Sequence, residues 1–496
     1  MKLSMSAGLI CAVVYVVFVL LVPHGLPRYQ GLESDFISTY VDGAMWLESA
    51  FEVGTEEAVG RWRDGHPFQC HGIGYPLALL PLGKFFDETL PGMKYFQAGK
   101  LLSAASGAAV ILLVFIWLGF VPGLIVFVLA GMLPIFFEIA YSASTDMFCL
   151  ALILWAIYAL WREQWFWGGI LLGAAILVRY EAAVFVPFAL LLPKADWVKR
   201  AWILAPILLL LVLNFQYADF PPRSNYNLAL HYLNDDQIPD MLPEGWEAQY
   251  GNAFSIFFSH PLRNAWYFLR DLALNLTYIV VWVMLLMVFF SIKGLLELWP
   301  KSGEFRTLLI ALAVHLVLIS FVSYSVNTVR YYWLEIFCLL SLGAWVIARD
   351  CLKWQYLPVA LIVLGMNFFS LSNMVRSQMN YDPALFEAYR QVVKPADRIM
   401  SLRGFAPFLC GCDWEYFPVN ETNLYERCLR DSVDFVMYGG MEYSARPEWR
   451  DKLRDYQNGP PEFVPLVVVQ GTNTLFWVDQ DDAVKARYGQ MAGGNP

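Results

Sequence analysis

Long apolar stretches separated by short polar segments restrict the fold of this 496-residue chain more than any other feature. A helix needs about 20 apolar residues to cross the hydrocarbon core of a bilayer. The stretches therefore predict a polytopic α-helical membrane protein with about eleven transmembrane helices. They lie near residues 3–23, 99–119, 121–140, 147–161, 166–178, 181–193, 201–217, 271–292, 307–324, 331–348 and 354–371.

The composition fits a membrane protein and excludes a basic nucleic-acid surface. Hydrophobic residues make up 58% of the chain and charged residues 16%, whereas soluble domains carry about 25% charged residues. The formal net charge is −9, and no run of Lys and Arg occurs. We therefore expect the lipid bilayer, and no nucleic acid, among the partners.

The short loops predict the orientation, because cytoplasmic loops carry an excess of Lys and Arg. With an odd number of helices, the basic short loops share the side of the N-terminus, which is therefore expected in the cytoplasm. These loops contain Arg162, Lys194, Lys199, Arg200, Lys293, Lys301, Arg306, Arg349 and Lys353. The first stretch lacks a small-residue cleavage site and is interpreted as a retained anchor. The expected location is the inner (plasma) membrane of a bacterium, with the C-terminal region extracytoplasmic.

The long hydrophilic segments all fall on the outer side in this topology. We expect residues 1–375 to form the transmembrane domain, with outer loops at 24–98 and 218–270, and residues 376–496 to form an extracytoplasmic α/β domain. Residues 74–86 are apolar but too short and proline-rich to cross, which favours a helix in the interface.

Hydrophobic periodicity predicts the elements of the C-terminal domain. Helices are expected at 384–393 and near 448–456, strands at 397–402 and 434–438, and a hairpin over 463–478. Cys70, Cys410, Cys412 and Cys428 lack zinc-type spacing. Their outer location allows one or two disulfides without determining the connectivity.

Charged residues gather where the apolar stretches end on the outer side. A charge in hydrocarbon costs about 2.5–3.5 kcal/mol on insertion scales, so each of these residues needs an explanation. One interpretation is pairing at the interface, Arg179 with Glu181 and Arg330 with Glu335. The other is that residues from four separate junctions converge on one pocket. The charged residues are Glu33, Asp35, Glu138, Asp146, Arg179, Glu181, Arg330 and Glu335.

Acids and arginines in one outward-facing pocket have complementary chemistry. A carboxylate within reach of a hydroxyl can take its proton. An arginine can neutralise a phosphate leaving group with forked hydrogen bonds. Together these groups favour glycosyl transfer from a lipid phosphate.

Short motifs, in this order along the chain, resemble the GT-C glycosyltransferase superfamily. They are Asp35 after the first apolar stretch, residues 71–77 (His-Gly-Ile-Gly-Tyr-Pro-Leu), residues 142–146 (Ser-Ala-Ser-Thr-Asp), residues 178–181 (Val-Arg-Tyr-Glu) and residues 328–332 (Thr-Val-Arg-Tyr-Tyr). The likeness covers most of the membrane part. It is nearest to the group that holds protein O-mannosyltransferases and lipid A aminoarabinose transferases.

The resemblance implies roles for the acids. Asp35 matches the first-loop acid of the family and is expected to be the catalytic base or the carboxylate that orients the acceptor, with Glu33 as a second catalytic carboxylate. Asp146 matches the acid of the second outer loop and is expected to shape the acceptor side. Helix capping by Ser144 or Asp146 is the alternative.

The resemblance also implies donor and substrate contacts. Arg330 is expected to bind the donor phosphate, with assistance from Arg179. Where the aminoarabinose branch carries Lys-Pro-Pro, this chain has His71, which is expected to donate a hydrogen bond to phosphate or, alternatively, to bond nearby backbone. Tyr75 and Tyr331 lie in the same motifs and are expected to bind substrate.

The function expected from residues and resemblance together is that of an inverting glycosyltransferase. It would move a hexosyl or pentosyl group from a polyprenyl-phosphate carrier to an acceptor hydroxyl of a protein, lipid or cell-envelope glycan. No Asp-x-Asp pair occurs in the first loop, so no cofactor is expected and a divalent metal lacks support. The alternatives are a glycan-polymer ligase and a secondary transporter or lipid flippase, whose charges would gather near the midplane.

Overall fold

The structure, a computed structural model, describes residues 2–21, 40–53, 72–87, 91–131, 134–218, 231–233, 246–283, 285–322, 332–350, 365, 369, 383–401, 407, 410–417, 424–438, 463–468 and 474–478. The chain divides into two compact units. The first contains Met1–Gly31, Gly43–Phe86 and Tyr95–Met379, and the second contains Leu32–Asp42, Asp87–Lys94 and Asn380–Pro496. The second unit thus includes two pieces of the segment assigned above to the first outer loop.

The regular elements described in the first unit are all helices. Its helices are α1 (Lys2–Leu21), α2 (Asp42–Val53), α3 (Gly74–Gly83), α4 (Pro91–Leu118), α5 (Phe120–Gly131), α6 (Pro134–Tyr141), α7 (Thr145–Trp161), α8 (Trp165–Val178), α9 (Phe185–Leu190), α10 (Trp197–Phe215), α11 (Trp246–Tyr250), α12 (Ala253–Phe258), α13 (Pro261–Val283), α14 (Leu285–Leu298), α15 (Gly303–Val322) and α16 (Trp333–Asp350). A 3-10 helix, Tyr180–Val184, joins α8 to α9.

Among these residues, three helices are long and apolar enough to cross a membrane: Gly92–Leu118, Trp197–Phe215 and Gly303–Phe321. Shorter apolar helices coincide with other predicted spans, among them Thr145–Trp161 and Trp165–Val178. The stretch at 354–371 lies outside the described residues except for Gly365 and Phe369. The total of eleven spans therefore stays a prediction.

Two predicted spans are divided between helices. The stretch at 121–140 falls on α5 and α6, and Pro134 is the first residue of α6, where proline is tolerated because its missing N–H needs no partner. The stretch at 271–292 falls on α13 and α14. The helix over 74–83 is confirmed as too short to cross, whereas its place in the interface stays a prediction.

A tight turn between α7 and α8 determines which helix ends meet. Glu163 adopts φ 61° in this turn, so the two helices run antiparallel and pack together, and the start of α7 lies beside the end of α8. At the turn, Lys194 Nζ lies 3.3 Å from Glu163 and 3.6 Å from Glu304, next to the starts of α10 and α15. The opposite ends of α8, α10 and α15 therefore share one face of the helical unit. The topology above predicts this as the outer face.

The second unit is built around a five-stranded sheet. Its strands are β1 (Arg398–Ser401), β2 (Asp413–Tyr416), β3 (Phe435–Tyr438), β4 (Phe463–Val468) and β5 (Thr474–Val478), in the order β2-β1-β3-β5-β4. β1 pairs in parallel with β2 and β3, whereas β5 pairs antiparallel with β3 and β4. The register between β4 and β5 shifts between Pro465 and Val467.

Two helices, α17 (Pro383–Val392) and α18 (Leu424–Arg430), belong to the same unit. α18 and the inner strands bury Tyr425, Cys428, Val436 and Phe476 in one apolar cluster. The strands β1, β3, β4 and β5 and the helix α17 lie where the sequence predicted them, whereas β2 and α18 were missed. The helix predicted near 448–456 lies outside the described residues.

The cysteines of this sheet unit are free thiols in the structure. Cys410, Cys412 and Cys428 form no disulfide, and Cys70 lies outside the described residues. Burial raises the pKa of the Cys410 thiol to about 12 and also raises that of Cys428. Both side chains are therefore neutral at physiological pH, as expected for packed, unreactive cysteines.

Candidate active site

The outer start of α7 is positioned by a side chain of α4. Ser103 Oγ donates to the carbonyl of Ser144 at 3.2 Å and accepts from the Ser144 amide at 3.5 Å. Ser144 holds the N-cap position in extended conformation, but its side chain makes no capping bond. Asp146 follows in the first turn, where the helix dipole favours a negative charge. Asp146 is therefore not the capping residue of α7.

Asp146 is paired with Arg179, which ends α8. Arg179 Nη1 donates to Asp146 Oδ1, and Arg179 Nε donates to Glu181 Oε1 in the 3-10 helix that follows. The side chains of Asp146, Arg179 and Glu181 are 5%, 15% and 30% exposed. We call these three residues the arginine bridge. The pairing predicted for Arg179 with Glu181 is confirmed, and the structure adds Asp146, which lies 33 positions away.

Two glycines bring α3 against the end of α8. A Cβ added to Gly72 would lie 2.2 Å from the Leu177 carbonyl oxygen, and one added to Gly74 would lie 2.6 Å from the Leu177 carbonyl carbon. These distances leave no room for a side chain. Gly72 and Gly74 of the motif at 71–77 thus allow a close backbone contact with Leu177, two positions before Arg179.

Asn214 holds the same junction from α10. Its Oδ1 accepts from the Ile73 amide, and its Nδ2 donates to Tyr180 Oη, both at 3.1 Å. Asn214 is fully buried, as expected for an amide that satisfies both halves of its side chain. One polar side chain therefore fixes α3 and the 3-10 helix relative to α10.

A second buried ionisable pair adjoins the arginine bridge. His315 Nδ1 of α15 lies 2.6 Å from Glu335 Oε1 of α16, and the two side chains are 5% and 6% exposed. The ring of Phe185, which follows the 3-10 helix, lies 5.5 Å from the His315 ring. We call His315 and Glu335 the imidazole pair. Arg330 lies outside the described residues, so its pairing with Glu335 stays a prediction.

The remaining predicted site residues divide into two groups. Tyr75 is fully buried and packs on Phe148, with ring centroids 6.3 Å apart, so in this structure it is a packing contact between α3 and α7. The other predicted residues lie outside the described part of the chain: Glu33, Asp35, His71, Arg330 and Tyr331. Their convergence with the arginine bridge therefore stays a prediction.

Sequence reasoning missed three polar residues of this region. Asn214 and His315 interrupt apolar stretches, and Lys100 lies one helical turn before Ser103 on α4 with only 9% of its surface exposed. A polar side chain inside a predicted span is expensive and usually functional. That signal was present in the sequence for each of them.

Among the described residues, no group of three or more His, Cys, Asp and Glu side chains is placed to hold a metal ion. The first-loop acids Glu33 and Asp35 fall outside this set.

No family model and no curated protein matches the chain. Solved structures do match it. The structure of ArnT from Cupriavidus metallidurans bound to undecaprenyl phosphate aligns with 95% of this chain and 98% of its own, at a TM-score of 0.55 and 11% identity. A second match is the oligosaccharyltransferase of Archaeoglobus fulgidus, tethered by a disulfide to an acceptor peptide with the NVT sequon. It aligns with 91% of this chain and 71% of its own, at a TM-score of 0.54 and 12% identity.

These alignments extend over nearly the whole chain at low identity, so what they establish is the fold. They confirm the fold that the motifs predicted for the membrane part. The chain is thus an integral membrane protein with the fold of the GT-C glycosyltransferase superfamily.

Proposed function

We propose that this protein is an inverting glycosyltransferase that moves a monosaccharide from a polyprenyl-phosphate carrier to an acceptor hydroxyl at the outer face of the membrane. The observation that carries the proposal is the arginine bridge, a partly buried guanidinium between two carboxylates at one end of a GT-C helical unit. The undecaprenyl phosphate bound to the similar ArnT supports the donor class.

The proposed reaction exchanges one bond at the sugar. The acceptor oxygen forms a bond to the anomeric carbon while the bond from that carbon to the phosphate oxygen breaks, so the configuration inverts. The electron pair leaves with polyprenyl phosphate, and the acceptor proton passes to the Asp35 carboxylate. Arg330 and Arg179 would neutralise the charge that develops on the phosphate. Asp146 would orient Arg179 and shape the acceptor side.

Direct transfer assays test this function. The purified protein would be reconstituted in proteoliposomes and given a panel of radiolabelled polyprenyl-phosphate sugars with membrane lipid, glycan and peptide acceptors. We expect transfer of a single sugar, and a loss of kcat/KM of about 10²- to 10⁴-fold in Asp35→Asn, the range for removal of a general base.

Asp87→Asn is the matched control, because Asp87 is an exposed acid before α4 with no place in the site. It should retain wild-type activity. A well-folded Asp35→Asn variant with full activity would remove the proposed mechanism. Movement of lipid or solute across the vesicle without sugar transfer would instead favour a carrier.

A further inference from the structure

The arginine bridge has one difficulty as a phosphate site. Arg179 already donates to two carboxylates, through Nη1 to Asp146 and through Nε to Glu181. The guanidinium has five N–H groups, and forked phosphate recognition at its Nε edge uses the Nε–H that Glu181 accepts, so a phosphate on that edge must displace Glu181. Asp146 is nearly fully buried, whereas Glu181 is the more exposed partner, so Glu181 is the group that can move.

The imidazole pair lies close enough to Glu181 to interact with it electrostatically. The 3-10 helix that carries Glu181 packs against α15, and the Phe185 ring contacts the His315 ring. The charged groups that act on His315 are Glu335 from α16, Glu181 from the 3-10 helix and Arg179 from the end of α8. His315 and Arg179 thus compete electrostatically for the same carboxylate.

The charge balance of these residues favours a proton on His315. Asp146, Glu181 and Glu335 supply three carboxylates, against the single guanidinium of Arg179. Burial of uncompensated charge is expensive. A protonated imidazole reduces the excess of negative charge. Glu335 Oε1, 2.6 Å from His315 Nδ1, holds the imidazole in place. Glu335 Oε2 is buried without a hydrogen-bond partner, so the carboxylate keeps an acceptor beside the imidazole.

We propose that His315, held by Glu335 and protonated, is a positioning residue that attracts Glu181 away from Arg179 when the donor phosphate binds. This inference rests on the proposed function. The freed Nε–H of Arg179 then donates to phosphate, and Glu181 returns when polyprenyl phosphate leaves. His315 keeps its proton throughout, so no proton is gained or lost in the cycle.

The test uses His315→Gln, which removes the charge but keeps a side chain that can bond Glu335. We expect the donor KM to rise about tenfold or more, as for loss of one charge-assisted hydrogen bond, with kcat affected less. We expect kcat/KM of the wild type to fall at alkaline pH, where His315 loses its proton, and this fall to be absent in the variant. Binding of undecaprenyl phosphate, measured by native mass spectrometry, should weaken by the same factor.

A second variant separates this role from packing. Adding Glu181→Gln to His315→Gln removes the competitor for Arg179, so donor KM and undecaprenyl phosphate affinity should return to within about threefold of wild type. A histidine that only fills the core would not be rescued in this way. Failure of the rescue, or a His315→Gln enzyme with wild-type donor KM and pH profile, overturns the inference.

His231→Gln is the matched control. His231 Nε2 lies 2.6 Å from Asp271, and these side chains are 6% and 3% exposed, so the substitution perturbs an equally buried His–carboxylate pair elsewhere in the helical unit. It should leave donor KM and the pH profile unchanged, and a change equal to that of His315→Gln contradicts the inference. A wild-type protein that neither transfers sugar nor binds undecaprenyl phosphate would refute the proposed function and this inference together. An active wild type with an unaffected His315→Gln variant refutes the inference alone.

Discussion

At the scale of single residues, Arg179 organises the described part of the site. The sequence placed Arg179 next to Glu181 and on the same face as Asp146, because positive loops fixed the sidedness of the helix ends. It could not show that Arg179 and Asp146 touch, since that contact depends on how α7 and α8 pack. Asn214 and His315 were missed because only outer-face charges were considered.

The bridge makes a stability prediction for Arg179→Met. Removal of the guanidinium leaves Asp146 buried without its partner. Breaking a buried pair in this way lowers the free energy of unfolding by about 3–5 kcal/mol. The double variant Arg179→Met with Asp146→Asn should recover most of this loss, because the buried side chain is then neutral and the remaining carboxylate, Glu181, is 30% exposed. Thermal unfolding in detergent measures both.

Arg349→Met is the control for that experiment. Arg349 donates to both oxygens of Glu297, at 2.6 and 3.0 Å, but its side chain is 39% exposed. Exposed pairs contribute about 0–1 kcal/mol. Equal losses of unfolding free energy in Arg179→Met and Arg349→Met would show that burial does not make the arginine bridge more important for stability than an exposed pair.

At the scale of elements, the contact of α3 with α8 depends on backbone proximity. The spacing of Gly72 and Gly74 was noted in the sequence as part of a motif, but its cause is the Leu177 carbonyl, a group that no pattern in the sequence could place. The helices were predicted well because apolar length is a strong local signal. β2 was missed because its alternation of acidic and aromatic residues, Asp413-Trp-Glu-Tyr416, extends over only four residues and gives a weak signal.

Gly72→Ala and Gly74→Ala should each displace α3 from the end of α8. The added methyl group would overlap the Leu177 peptide unit, and a shift of α3 away from Leu177 would stretch the Ile73 bond to Asn214. We expect the free energy of unfolding to fall by about 1–3 kcal/mol, as at overpacked sites, and the yield of folded protein to decrease. Size-exclusion profiles and thermal unfolding check this.

Gly365→Ala serves as the control, because a methyl group there would meet no atom of the described residues within 4 Å. It should behave as the wild type. Wild-type stability in all three variants would mean that α3 does not depend on the glycines.

At the scale of the whole molecule, the chain combines an apolar helical unit with a unit built on a mixed sheet. The GT-C likeness was predictable because several weak motifs occurred in the right order. The division of the outer segments between the two units was not, since residues 32–42 and 87–94 group with the C-terminal residues through contacts distant in sequence. The number of spans and the orientation stay predictions.

Cysteine labelling in intact cells tests the orientation. Glu163 is exposed in the turn after α7, which is predicted to be cytoplasmic, and Lys394 is exposed after α17, which is predicted to be extracytoplasmic. A membrane-impermeant maleimide should therefore label Lys394→Cys, and it should label Glu163→Cys only after the cells are lysed. Subtracting the signal of the unmodified protein corrects for native cysteines. The reverse pattern would invert the topology and place the arginine bridge in the cytoplasm.

The margins of the described sheet carry a further consequence. β4, at one margin, contains Pro465 and an irregular register, and β2, at the other, exposes Asp413 with Glu415 two residues on. A proline cannot donate to an incoming strand, and acidic side chains repel a matching copy. We therefore expect both margins to disfavour the addition of a strand from a neighbouring copy in the same bilayer.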